Sequence, residues 1–364
     1  MRVSATLIVR DEERFLRGCL ESIDGVVDEI VVVDTGSTDR SIEIADSFGV
    51  TLLHRVWRND FAWARNEALD AASGDWILYI DADERLSLPA GALLNDGLDD
   101  TAAFAARVLF YPKLNTTPSR EYRLFRNDTR LRFRGAMHET ILPDLYLLQA
   151  EIGATVIDSP AVLQHLGYEG DQSHKAARNL PMLRAAISED PGRLFYWNHL
   201  AETLEAAGEL DEALSISAEG FARARSVAPI SPDAGVAVAL AWTHARLLHD
   251  SGGDALPVVD TGIALRPGNP SLLLLKARIL LDRDEPAVAL NVLDELAAID
   301  GSTFSDSTLS HDRRIFTVYV HDLMGVALLR LGRRAEAADA FARAALGAPD
   351  DLSYRVKAAA LRQG

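Results

Sequence analysis

The sequence predicts an α/β domain with a parallel, Rossmann-like sheet, followed by an all-α repeat solenoid. Three observations carry that expectation. The first part of the chain alternates short β-branched or aromatic runs with helically spaced apolar residues, the pattern of strand-helix-strand units. One of those runs, Trp76-Ile77-Leu78-Tyr79-Ile80, ends in Asp81-Ala82-Asp83-Glu84. It reads as a buried strand that delivers two carboxylates to the carboxyl edge of a sheet, where open α/β sheets bind their ligands. In the later part the composition turns to Ala, Leu, Glu and Arg with a helical period.

Taken in order, Ala5–Val9 is a strand and Glu13–Ile23 an amphipathic helix with Phe15, Leu16, Cys19, Leu20 and Ile23 on one face. Asp28–Val33 is a continuous β-branched strand, expected to be buried on both faces. It ends in Asp34-Thr35-Gly36-Ser37-Thr38-Asp39, where Ser37 and Asp39 are placed to cap the helix that follows. Thr51–Arg55 is a short third strand, Glu67–Ala72 fits a helix with Arg65-Asn66 at its opening, and Ser73-Gly74-Asp75 turns the chain into the strand that ends at Asp81. A strand is expected over Phe104–Phe110. Beyond it Arg120, Arg123, Arg126, Arg130, Arg132 and Arg134 cluster within an otherwise acidic chain. Most of these belong to a solvated hairpin, and Arg123 and Arg126 are the two with a case for facing an anion.

With 364 residues there is room for two domains that each bury a core. A formal net charge of −17 argues against a nucleic-acid partner, which calls for a basic face. An anionic ligand then needs a local cationic site or a metal. Asp81 and Asp83, one residue apart, suit a hard divalent cation such as Mn2+ or Mg2+, which often takes only one or two protein carboxylates. The single cysteine, Cys19, excludes an internal disulfide and fits a reducing compartment. No apolar run approaches the roughly 20 residues that span a bilayer, and Asp11, Glu12 and Glu13 follow the first strand too closely for a signal peptide. The expectation is a cytoplasmic protein with no membrane span.

Read together, Ile8-Val9-Arg10-Asp11-Glu12-Glu13, Val32-Val33-Asp34-Thr35-Gly36-Ser37-Thr38-Asp39, Ala64-Arg65-Asn66, Gly74-Asp75-Trp76-Ile77-Leu78 and Asp81-Ala82-Asp83-Glu84 resemble the N-terminal signature of family 2 glycosyltransferases of the GT-A fold. The branch most similar is the one joined to tetratricopeptide repeats, which includes protein and peptide glycosyltransferases. The resemblance implies a catalytic domain over residues 1–170. Asp11, Glu12 and Asp34 would meet the nucleoside, Arg65 the base or phosphates, and Asp81 and Asp83 the metal and sugar. Many members carry Asn-Glu after the first strand, where this chain has Asp11-Glu12. The resemblance further implies an acidic base ahead of a late histidine. That maps to Glu139 in Phe133-Arg134-Gly135-Ala136-Met137-His138-Glu139 and to His165 as third metal ligand, with the reverse use of His138 left open. Arg123 and Arg126 would face the diphosphate or the acceptor, because a sugar-nucleotide enzyme needs positive charge to stabilise the departing diphosphate.

Residues 171–190 read as a linker helix and residues 191–364 as the repeat domain. Trp197-x-x-Leu200-Ala201-x-x-Leu204 with Gly208 and Ala213 follows tetratricopeptide spacing, as does Met324-Gly325-x-x-Leu328 with Gly332, Ala337, Phe341, Ala344 and Pro349. Ala277, Leu280, Ala289, Leu293 and Leu296 make a third unit, and Thr243 to Pro267 a degenerate fourth, with Gly301 to Ser310 as a loop insertion. Such pairs stack into a solenoid that holds an extended peptide or pairs two subunits. The expected function is a metal-dependent, inverting glycosyltransferase that takes a nucleotide sugar, UDP-sugar first among them, and an acceptor that includes peptide or protein hydroxyls or thiols. The alternative is a repeat scaffold whose N-terminal domain binds a sugar nucleotide without turnover.

Overall fold

The computed structural model describes residues 1–167, 173–229, 231, 233–306 and 309–363. The chain divides into two units, residues 1–114 with 118–172 and residues 115–117 with 173–364. The expected boundary at residue 170 and the Tyr168 end of the late histidine motif lie outside the described residues.

The first unit holds an eight-stranded sheet. Its strands are β1 (Val3–Val9), β2 (Glu29–Asp34), β3 (Thr51–His54), β4 (Trp76–Tyr79), β5 (Glu84–Ser87), β6 (Ala103–Tyr111), β7 (Ser119–Arg126) and β8 (Thr155–His165). Hydrogen-bond order is β3-β2-β1-β4-β7-β6-β8-β5. The strands β3, β2, β1 and β4 run parallel, as expected. Beyond β4 the sheet is mixed: β7 is antiparallel to both β4 and β6, β8 is parallel to β6, and β5 is antiparallel to β8. The expectation of a parallel sheet therefore holds for one half only.

Helices α1 (Leu16–Ile23), α2 (Ser41–Asp46), α3 (Phe61–Ala71) and α4 (Leu142–Ile152) accompany this sheet. Alternation within β4 divides the core. Trp76, Leu78 and Ile80 pack with Leu16, Cys19, Leu20 and Ile23, whereas Ile77 packs with Leu69, Phe125, Leu145 and Leu148. Both faces of the strand are thus covered, which is why the run is apolar throughout. Cys19 is fully buried, in the core where its helical spacing put it.

Helix α3 begins six residues before the predicted start at Glu67. Asp60 caps it by accepting the Trp63 N–H at 2.8 Å. Arg65 and Asn66 therefore sit inside the helix rather than at its opening. The strands β5 and β8 and the helix α4 were not anticipated. Asp158-Ser159-Pro160 interrupts β8 in sequence, and the β6/β8 register shifts at that level, so the strand carries turn-like residues in mid-course.

The second unit is helical: α5 (Ser173–Glu189), α6 (Leu194–Ala206), α7 (Leu210–Ala224), α8 (Ala234–Asp250), α9 (Leu256–Leu265), α10 (Pro270–Asp282), α11 (Pro286–Ala297), α12 (Val320–Arg330), α13 (Arg334–Gly347) and α14 (Leu352–Gln363). A five-residue π-helical stretch, Ile315–Tyr319, leads into α12. The unit expected from Thr243 to Pro267 is a complete helix pair that begins at Ala234. The expected linker helix, α5, packs on α6 within this unit. Small residues set the approach of paired helices: a Cβ on Gly325 would lie 2.6 Å from the Phe341 ring. Among the described residues, no helix is long and apolar enough to cross a membrane.

Candidate active site

The carboxyl ends of β1 and β2 are sewn to each other by short hydrogen bonds. Asp11, in a left-handed backbone conformation at φ +54°, accepts from the Thr38 N–H at 2.7 Å and the Thr38 hydroxyl at 3.1 Å. Its own N–H donates to Ser37 Oγ at 3.0 Å, and the Glu12 N–H donates to Ser41 Oγ at 2.8 Å. Asp39 accepts from the N–H groups of Glu13 and Ser41, both at 2.9 Å, so it ties two loops instead of only capping a helix. The Asp34 carboxylate is buried and accepts from the N–H groups of Gly36 and Ser37 at 3.1 Å. This is the turn an aspartate makes at a strand end. Asp11, Glu12 and Asp34, singled out for the nucleoside, thus share one rim, with the Asp34 side chain turned to its own loop.

At the tip of β4 the chain continues through Ile80, whose N–H donates to the Thr6 carbonyl at 3.1 Å, and turns at Asp81–Glu84. Two guanidinium groups converge on Asp81. Arg65 Nη2 donates to Oδ1 at 2.6 Å, and Arg123 Nη1 lies 3.7 Å from Oδ2. Burial works against the charged form of Asp81, yet Arg65 and Arg123 hold its carboxyl down at about 2. Both arginines lie against the Tyr79 ring, with Arg65 centred 4.8 Å from it and Arg123 4.6 Å. Arg65 is itself almost enclosed, and its Nε donates to Glu139 Oε1. It bridges the strand tip and the predicted base.

Glu139 reaches Arg65 because its segment is stitched to α3. The Asn66 amide donates to the Phe133 carbonyl at 3.0 Å and accepts the Phe133 N–H at 2.9 Å, and the Phe61 N–H donates to the Ala136 carbonyl at 2.8 Å. His138 adopts φ +52° just before Glu139. Arg123 also donates to Glu121 at 2.8 Å and to Glu84 at 2.9 Å, and Glu84 is fully buried. Burial raises the Glu84 carboxyl above its ordinary range, against the pull of Arg123 and with the push of Asp81.

Asp83 pairs with His165, whose Nε2 lies 3.1 Å from Oδ2. The β5/β8 register sets Glu84 opposite His165 and so brings the end of β8 to the turn. A Cβ on Gly167 would collide with the Asp83 carboxylate, so glycine is what lets the chain pass so close. A carboxylate, an imidazole nitrogen and the partly exposed Asp81 on the same turn form a donor set that fits Mn2+ or Mg2+. Among the described residues, no three acidic, histidine or cysteine side chains are already gathered in metal-holding geometry, and ligand oxygens and water would complete the shell.

One predicted residue is misplaced. Arg126 pairs with Trp76 at the start of β4, because β7 runs antiparallel and carries it away from Asp81. Its guanidinium donates to the carbonyls of Ala103 at 2.6 Å and Asp100 at 2.8 Å, a role in holding a loop. Arg123, three residues earlier, stands at the Asp81 end but grips carboxylates rather than facing outward. Sequence reasoning missed Glu84 and Glu121 as partners of the site. Period 2 along β7 puts Glu121 and Arg123 on one face, which is the signal that pointed to the second of them.

Residues 4–139 match the family model described as glycosyl transferase family 2. A TPR repeat-containing protein of Synechococcus elongatus is 37% identical over 267 residues, covering 71% of this chain and 64% of that protein. The SPbeta prophage-derived glycosyltransferase SunS of Bacillus subtilis is 26% identical over 245 residues, covering 60% of this chain and 54% of SunS. The chain thus spans between about half and two thirds of the length of these curated relatives. Among solved structures, glucosyl-3-phosphoglycerate synthase of Mycobacterium tuberculosis aligns at 20% identity with a TM-score of 0.39, over 51% of this chain and 79% of the synthase.

Proposed function

We propose that this chain, which joins a glycosyl transferase family 2 domain to tetratricopeptide repeats, is a metal-dependent transferase that moves a sugar with inversion from a nucleotide donor to an acceptor. The observation that carries the reading is the strand-tip turn. It presents Asp81 to two arginines, Asp83 to His165, and, through Arg65, lies one residue from Glu139. Carboxylates outnumber guanidiniums here even with Glu84, whose carboxyl burial raises, set aside, since Asp81, Glu121 and Glu139 face Arg65 and Arg123. A diphosphate would be repelled from such a site without a cation, which is the electrostatic argument for metal dependence.

Asp83 and His165, with Asp81, would hold the divalent ion, which when bound supplies positive charge to the diphosphate that leaves with the nucleotide. Asp11, Glu12 and Asp34 line the rim on which the nucleoside would rest. Glu139 would take the acceptor proton through Oε2, because Oε1 is held by Arg65. Arg65 and Arg123 then act by orienting carboxylates rather than by touching phosphate. A UDP-sugar is the first donor to test, and a peptide or protein hydroxyl or thiol is the acceptor class that a repeat domain suits, by analogy of fold.

Calorimetry with UDP, with and without Mn2+, tests the donor site, and a panel of UDP-sugars then tests turnover. Binding that requires Mn2+ is the expected result. Glu139→Gln is expected to leave nucleotide affinity within about threefold while turnover falls by roughly a hundredfold or more. Metal-dependent binding without turnover on any acceptor would favour the scaffold alternative, and unchanged turnover in the variant would remove Glu139 as the base.

A further inference from the structure

Glu84 has no part in the roles proposed above, yet its carboxylate is completely enclosed and its hydrogen bonds all go to the site. Its Oε2 accepts the backbone N–H of Asp81 at 2.9 Å and Arg123 Nη1 at 3.3 Å, while its Oε1 accepts Arg123 Nη2 at 2.9 Å. Its own N–H donates to the Asp81 carbonyl at 3.0 Å, which closes the turn. Its backbone lies opposite His165 in the β5/β8 register. One residue therefore touches the main chain of Asp81, the arginine beside the Asp81 carboxylate, and the strand pairing that sets His165 against Asp83.

We propose that Glu84 is a positioning residue for the cation and the donor diphosphate: it touches neither, and it sets the directions of Asp81 and Asp83 by fixing the turn and Arg123. The inference rests on the metal-dependent reading above. Stability alone accounts poorly for this placement, since a buried ion pair is often no more stabilising than apolar side chains of the same volume. Chemistry makes the carboxylate hard to replace. Three N–H groups arrive on its two oxygens, whereas a glutamine offers one acceptor oxygen and would turn an NH2 group toward either Arg123 or the Asp81 N–H. An aspartate is one methylene too short to reach both.

The test is Mn2+ binding in the presence of UDP, followed by electron paramagnetic resonance on the full chain, for wild type, Glu84→Gln, Arg123→Lys and the double variant. The expected result is a loss of Mn2+ affinity of about tenfold or more in Glu84→Gln, the range for residues that orient metal ligands, with an unchanged far-ultraviolet circular dichroism spectrum. Arg123→Lys moves the same way and serves if Glu84→Gln does not fold. The double variant loses little beyond either single change, because both act through one contact. Wild-type Mn2+ affinity in the folded variant overturns the proposal, and so does a fully additive double variant. If wild type itself binds UDP equally well without Mn2+, the metal-dependent reading fails first and this inference with it.

Discussion

The two units differ in the titratable groups that they bury. In the first, Arg65, Arg123 and the enclosed side of Glu139 are interior groups held by partners of opposite charge. In the second, the buried titratable groups include neutral imidazoles. His311 is enclosed with Nδ1 2.8 Å from Ser271 Oγ, and His244 is buried with Nδ1 3.0 Å from Ser217 Oγ. Burial lowers His244, and it takes His311 down to about 4 in spite of Asp306 and with the help of Arg266. The difference follows from purpose. A stacked repeat needs only to satisfy a hydrogen bond, and a neutral ring does so at little desolvation cost. Carboxylates at a strand tip keep their charge away from water where guanidiniums or backbone N–H groups meet them.

That contrast can be broken from either side. The largest effect is expected from Arg65→Met, which leaves Glu139 without its partner and Asp81 with only the more distant Arg123. A loss of about 4 kcal/mol is expected, read as a lower urea midpoint at constant slope. Retained stability would mean that the charged interior of the first unit is not held as described.

Acid should act on the second unit instead. An unfolded histidine binds a proton near pH 6.5, whereas folded His311 does so only at about 4, so its contribution is complete above pH 6.5 and is lost as pH falls toward 4. The expected decrease is about 3 kcal/mol over that window, and His311→Asn should flatten it. Asp81, held at about 2, contributes with the same sign in a lower window: its stabilisation is complete above the ordinary carboxylate value of about 3.8 and is lost as pH falls from there toward 2. Hydrogen exchange at pH 7 and pH 4.5 should therefore show protection falling around α10 and residues 311–313 before it falls around β4. The smallest expected effect is from Gly325→Ala, where the added methyl meets Phe341 at 2.6 Å. Overpacking there should cost about 2 kcal/mol, and a neutral result would show that α12 and α13 separate freely.

Much of the first unit was legible because each of its early elements announces itself locally. The run Ile30-Val31-Val32-Val33 can only be a doubly covered strand, and it is buried as such from Val31 on. The repeats were legible through Gly325, Ala337 and Phe341, whose sizes matter only if two helices touch. Arg126 was misread because sequence proximity to Arg123 says nothing about which end of β4 an antiparallel strand meets first. Glu84 was overlooked because it looks like the start of a surface turn, and only the β5/β8 pairing with the reach of Arg123 encloses it.

The sequence by itself determined the elements, the alternation of the early sheet, the helical pairing that follows, and the aspartates at the tip of β4. These depend on local periodicity and on side-chain size, which are written along the chain. Only the tertiary structure decided the partners: that Arg65 links Asp81 to Glu139, that His165 rather than His138 stands against Asp83, and that Arg126 serves a loop. Those facts depend on strand direction, register and burial, which set the distance between charges far apart in sequence, and charge chemistry is governed by that distance.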